Sequence, residues 1–101
     1  MTSDPEREAV LEWAAKARVR RDEIVASVAA GRTDLATVLA DRGESLVGPI
    51  KLVVVVQADP AVGKVKARRA LARLGLDEYR LAELGDAEAA ALLDLLNAVG
   101  G

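Results

Sequence analysis

Cysteine, histidine and phenylalanine are all absent from this 101-residue chain. Without cysteine there is no disulfide to staple a loop-rich scaffold and no thiolate to hold a metal. Without histidine the commonest proton shuttle and metal ligand are missing too. Ser3, Ser27 and Ser45 thus have no imidazole to activate them, and no glycine-rich P-loop is present. Asp77, Glu78, Glu83, Asp86 and Glu88 lack the alternating oxygen spacing of a calcium loop, and capping and solvation account for them better. Catalysis, a cofactor and a resident metal are therefore not expected. Aromatic residues, Trp13 and Tyr79, make up 2% of the chain. Single-strand binders and most RNA readers stack bases on aromatic platforms, so that mode is disfavoured and Trp13 is assigned to the core. No unbroken apolar run is longer than Leu52 to Val56, and neither end carries a basic segment followed by an apolar stretch. The expectation is a cytoplasmic protein with no membrane partner.

What remains is a chain that is 51% hydrophobic and 30% charged, enough for one modest core and one domain over residues 1–101. The formal net charge of −2 argues against a nucleic-acid partner, but its distribution argues for one. Residues 49–75 hold six basic side chains against Asp59 alone, whereas residues 1–48 and 76–101 are both net acidic. A basic centre lies between acidic flanks.

The hydrophobic spacing is helical almost throughout. Ser3 or Asp4 can cap a first helix opened by Pro5 and by Glu6, Glu8 and Glu12, and Val10, Trp13 or Ala14, Ala17, Arg21, Ile24 or Val25 and Val28 carry its stripe to about residue 30. Thr33 or Asp34 can cap a second, shorter helix built on Leu35, Val38 and Leu39. The run Val53 to Val56 has strand propensity, yet a strand needs a partner and no other segment resembles one, so residues 50–57 are assigned to a helix. Lys64 to Leu74 forms the next helix, with Ala67, Ala70, Leu71 and Leu74 on its apolar face. Asp77 can cap a short helix to about Leu84, and Asp86 the last one, whose Ala90, Leu92, Leu93, Leu95, Leu96 and Val99 span a wide apolar arc before two glycines that should fray.

The segment Pro60-Ala61-Val62-Gly63-Lys64-Val65-Lys66-Ala67 makes one physical argument. A helix start exposes unpaired N–H groups carrying partial positive charge, and a glycine there lets an anionic oxygen approach the main chain. Gly63 holds that position, Lys64 and Lys66 add mobile cations, and Val62 and Ala67 plug the turn into the core. Such a cradle reads phosphate charge and geometry, not base identity. Arg68, Arg69 and Arg73 extend the basic surface, and Lys16, Arg18, Arg20 and Arg21 form a second cluster on the first helix, with Arg18 and Arg21 as secondary contacts. Duplex DNA is the preferred ligand.

The chain also resembles the actinobacterial type of integration host factor, a family of small nucleoid-associated proteins. The resemblance is carried by Ala14-Ala15-Lys16-Ala17-Arg18, by Gly31-Arg32-Thr33-Asp34-Leu35 with Val38-Leu39, by Val62 to Ala67, and by Leu84-Gly85-Asp86 before a leucine-rich last helix. It implies an all-α fold: a long helix over 5–30, then a helix-two-turn-helix bundle over 33–97, like that of a ribosomal small-subunit protein, with a helix-hairpin-helix type of DNA-binding turn. It further implies a non-enzymatic monomer in the nucleoid that binds duplex DNA with little sequence preference, bends or compacts it, and supports site-specific recombination. By position, Gly63, Lys64 and Lys66 match the family's backbone contact. The family's second contact, a run with three arginines, here reads Tyr79-Arg80-Leu81-Ala82-Glu83-Leu84-Gly85, so Arg80 alone is retained and Glu83 is added. The alternative is a divergent relative with weak DNA affinity that acts through other proteins as an interaction module or partner-dependent regulator.

Overall fold

A computed structural model of the chain describes residues 4–100, with side chains described over 4–97. Ser3 as a cap, the packing of Val99 and the expected fraying at Gly101 lie outside the described residues, while Gly100 is the last residue of the final helix. Five helices follow one another: α1 (Pro5–Ala29), α2 (Leu35–Ala40), α3 (Leu52–Ala58), α4 (Gly63–Leu74) and α5 (Asp86–Gly100), with a 3-10 turn at Leu81–Glu83 before the last. There is no strand among the described residues.

Local chemistry explains where these helices begin and end. The Asp4 carboxylate accepts the Glu6 N–H at 3.1 Å with Pro5 in the first turn. Asp34 caps α2, accepting from the Thr37 amide at 2.8 Å and from its hydroxyl at 2.6 Å. These bonds, the hydroxyl's first, hold the Asp34 carboxyl below its ordinary value of 3.8. Gly75, at φ +71°, ends α4 in the left-handed conformation, and the Leu76 N–H turns back to the Leu71 carbonyl at 2.8 Å.

Leu52, Leu71, Leu76, Leu81 and Leu92 are fully enclosed, together with Val47 and Val55, and with Leu35, Val38 and Leu39 of α2 also buried, every helix after α1 sends a side chain into the same core. From α1 only Ile24 and Val28 are buried. The first half of that helix stands off the bundle, which stretches the molecule to 58 × 26 × 21 Å. Trp13, expected inside, is 43% exposed and Val10 is 64% exposed. Exposed Arg21 separates them from buried Ile24 and Val28 on the same stripe, and the bundle does not reach the amino-terminal end of the helix.

The segment after α4 also departs from expectation. In place of a helix from Asp77 to Leu84, the chain turns, extends through Arg80 and makes only the 3-10 turn. The Leu52 N–H donates to the Tyr79 carbonyl and the Leu81 N–H to the Ile50 carbonyl, both at 2.9 Å, forming an antiparallel bridge between Lys51 and Arg80. The valine-rich run is helical, as expected, yet the residue just before it does find an extended partner. Asp86 does not cap α5, because it is already the first helical residue. The cap is Glu88, whose carboxylate accepts the Gly85 N–H at 2.9 Å. Asp86 instead pairs with Arg42, which also donates to the Leu39 carbonyl at 2.7 Å and the Leu84 carbonyl at 3.1 Å. That tie fastens the end of α2 to the start of α5.

Candidate nucleic-acid interface

The turn between α3 and α4 is built by one residue. Asp59 accepts the Ala61 N–H on its carboxylate at 2.9 Å, while its carbonyl accepts the Val62 and Gly63 N–H groups at 3.0 and 2.9 Å. Asp59 is thus not a counter-ion to the neighbouring lysines but the organiser of the turn, and the Asp-Pro pair before a small residue is the sequence signal for it. Val62 is half-buried and packs against the core, with Ala67 completely enclosed one turn on. Together they fix the depth of the hairpin. Gly63 adopts φ +76°, a conformation that side chains disfavour, and a Cβ there would meet nothing within 4 Å. The glycine is needed for its backbone, and the space in front of it is open.

Carboxylates sit at the starts of α1, α2 and α5. α3 and α4 have no side-chain cap, and in each the first amide donates to a carbonyl, Leu52 to Tyr79 and Gly63 to Asp59. The amides that follow Gly63, at the positive end of a 12-residue helix, are left for an external anion. Lys64, Lys66, Arg68, Arg69 and Arg73 are all exposed, and none is in an ion pair among the described residues.

Helical spacing sorts these cations into two rows. Lys66, Arg69 and Arg73 lie along the α5 side, where they rim a cleft of about 260 Å³ floored by Val62, Ala70, Leu95 and Leu96. Lys64 and Arg68 form the opposite row. Between the rows sits Val65, 63% exposed in the first turn of α4. A search for charge passes over this residue; its position between Lys64 and Lys66, two residues after Gly63, is the sequence signal that could have singled it out.

Arg80 is not part of this constellation. It lines a separate open cleft of about 810 Å³ with Arg42, Glu44, Glu83 and Asp86, where its guanidinium donates to the Pro49 carbonyl at 2.5 Å. Its own N–H donates to the Glu83 carboxylate at 2.8 Å. Beside it Tyr79 has its phenol held above 10.0, first by the negative charge of Glu88. Arg18 is exposed on α1, and Arg21 lies 3.4 Å from Asp22, both side chains largely in solvent. The structure therefore brings Val62, Gly63, Lys64 and Lys66 together at the start of α4, carries Arg68, Arg69 and Arg73 along the rest of the same helix, and leaves Arg80, Arg18 and Arg21 on other elements.

Comparison with known proteins agrees with this architecture. Residues 28–96 match the S13-like H2TH domain. The chain is 38% identical over 94 residues to the integration host factor of Mycobacterium tuberculosis, covering 91% of this chain and 90% of that protein, and equally so to that of Mycolicibacterium smegmatis. A solved structure of sIHF bound to an 8-base-pair palindromic DNA superposes with a TM-score of 0.75 at 29% identity, covering 82% of this chain and 96% of the other. With the fold, the order of its helices and the α3–α4 turn all in place, the chain belongs to the integration host factor family and is built on an S13-like H2TH domain.

Proposed function

We propose that this protein is a non-enzymatic, nucleoid-associated DNA-binding protein that holds duplex backbone through the start of α4, with little sequence preference, and bends or compacts the duplex. The observation that carries this reading is the uncapped end of α4 beside Gly63, flanked by two rows of unpaired cations. The backbone amides around Gly63 and the ammonium groups of Lys64 and Lys66 recognise phosphate charge and spacing, which carry no base identity. The DNA carried by the related sIHF structure supports the choice of ligand. Gly63, Lys64 and Lys66 are the primary contacts, with Val62 setting the depth of the turn. Arg68, Arg69 and Arg73 extend the contact along the helix, and Arg80, Arg18 and Arg21 are contacts of secondary weight.

Fluorescence anisotropy of labelled duplexes of unrelated sequence, measured over a range of salt, tests the assignment. Similar affinity for each sequence and a steep salt dependence are expected, both reduced by Lys64→Ala/Lys66→Ala. Binding that is insensitive to salt and to this double variant would remove α4 from the interface.

A further inference from the structure

The projecting half of α1 carries the largest uncovered apolar surface of the described residues. Val10 and Trp13 are 64% and 43% exposed, with Leu11 at their side 61% exposed, whereas the stripe of Val10 and Trp13, continued through Ala14 and Ala17, is buried about two and three turns beyond Ala17 at Ile24 and Val28. A stripe that begins in a core and runs out into solvent is unusual for a helix that has no partner.

We propose that this segment pairs antiparallel with the same segment of a second copy of the chain. The order of residues along the stripe is the first reason. Glu6, Val10 and Trp13 on one side of the Trp13–Ala14 bond are matched at equal distance by Arg21, Ala17 and Ala14 on the other. Around a two-fold axis at that bond, Trp13 meets Ala14, Val10 meets Ala17, and Glu6 approaches Arg21 of the second copy. Each large side chain then faces a small one, which lets two helices approach closely. Charge is the second reason. Residues 4–12 carry Asp4, Glu6, Glu8 and Glu12 against Arg7, while residues 16–21 carry Lys16, Arg18, Arg20 and Arg21 with no acid. Antiparallel pairing lays the acidic half of one helix along the basic half of the other. A parallel pair would set like charge on like, and a duplex lying along the stripe would meet the acidic half. Arg21 is held to its own Asp22 only by an exposed contact of 3.4 Å, so it is free to turn to Glu6.

The pair is a weak one. A contact along residues 6–21 is roughly 22 Å long and buries on the order of 1,000 Å² in total, the lower end of specific interfaces. The chain is then a monomer in dilute solution, as its resemblance to the family implies, and a dimer where it is concentrated. If the DNA-binding reading above holds, each dimer carries two α4 turns and bridges two duplex segments; the pairing itself does not depend on that reading.

Sedimentation equilibrium of the full chain without DNA, from the micromolar to the millimolar range, reads the pairing directly. The mass should climb from 10.6 kDa toward twice that value, and the emission of Trp13, the one tryptophan, should move to the blue over the same range. Val10→Glu and Ala17→Glu should each weaken association at least about tenfold while leaving the circular dichroism spectrum and binding to a short duplex unchanged. Arg21→Glu should also weaken it, and Glu6→Arg/Arg21→Glu should recover it. A constant mass of 10.6 kDa, or a Val10→Glu variant that associates like the wild type, overturns the proposal. Dimerisation without any binding to DNA would leave the pairing standing and sink the DNA-binding reading instead.

Discussion

Lys64→Ala/Lys66→Ala has an effect that can be worked out before it is measured. Both side chains are exposed and make no ion pair among the described residues, so their removal leaves the core intact and the fold serves as its own control. Each neutralised phosphate contributes about −0.9 to the slope of log K against log salt. Over a fourfold rise in salt, from about 50 to about 200 mM, one contact therefore costs roughly 3.5-fold in affinity and two cost roughly 12-fold. The double variant should bind more weakly at low salt, and its further loss over that interval should be about 12-fold smaller than the wild type's, with a slope shallower by nearly two. Anisotropy titrations at four or more salt concentrations on two unrelated duplexes measure this, with thermal unfolding to confirm the fold. An unchanged slope would mean that neither lysine touches phosphate, whatever happens to the affinity.

Three other perturbations test how the site is held. Gly48 is buried, and a Cβ there would lie 2.9 Å from the Ala82 Cβ and 3.1 Å from the Arg42 carbonyl. Gly48→Ala should therefore cost about 1–3 kcal/mol in urea unfolding, and a cost near zero would show that the loop before α3 yields freely. Arg42→Met removes the donor to the Leu39 and Leu84 carbonyls and to Asp86, and should destabilise by about 1–3 kcal/mol with duplex affinity unaltered in the folded protein. For Asp34 the folded pKa lies below the unfolded one, so its contribution is present above the ordinary value of 3.8 and is lost as pH falls through the lower folded value. The melting-temperature gap between wild type and Asp34→Ala should hold near neutral pH and close only in acid below 3.8; a gap independent of pH would rule out the carboxylate cap.

The elements that sequence reasoning placed correctly are those whose signal is local. Asp4-Pro5, Asp34, Gly75 and the spacing of Ala67, Ala70 and Leu71 each act within a turn of themselves, and α1, α2 and α4 start or stop where they indicate. The turn at Gly63 was legible for the same reason. Misplaced features depend on distant partners. Tyr79 and Arg80 are drawn out straight by Ile50 and Leu52, a pairing across nearly thirty positions that propensity cannot register. Asp86, already the first residue of α5, is held by Arg42 from 44 positions away, and Glu88 accepts the Gly85 N–H. Trp13 lies on a correct stripe, but whether a stripe is covered depends on the length of the bundle beside it, and that is set by α3 and the loop before it.

Whether the cleft around Arg80 also touches DNA can be decided by its acid and not its base. Removing Arg80 is ambiguous, because its guanidinium binds the Pro49 carbonyl and its loss disturbs the Lys51 bridge as well as any contact. Glu83 is cleaner. Its carboxylate accepts the Arg80 N–H at 2.8 Å, and in Glu83→Gln the amide oxygen can accept the same bond without the charge. Stability should change by less than about 0.5 kcal/mol, the usual range for an exposed surface substitution. If phosphate approaches Arg80, losing a negative charge within a Debye length, about 8–10 Å, should raise affinity by about two- to fivefold, more at low salt than at high. If the grip is confined to α4, the same substitution should leave affinity unaltered at every salt concentration. A duplex that responds to Glu83→Gln as well as to Lys64→Ala/Lys66→Ala must contact two separated faces, which is the geometry that bends DNA. Response to the lysines alone describes a one-sided hold that compacts DNA only if the protein itself pairs.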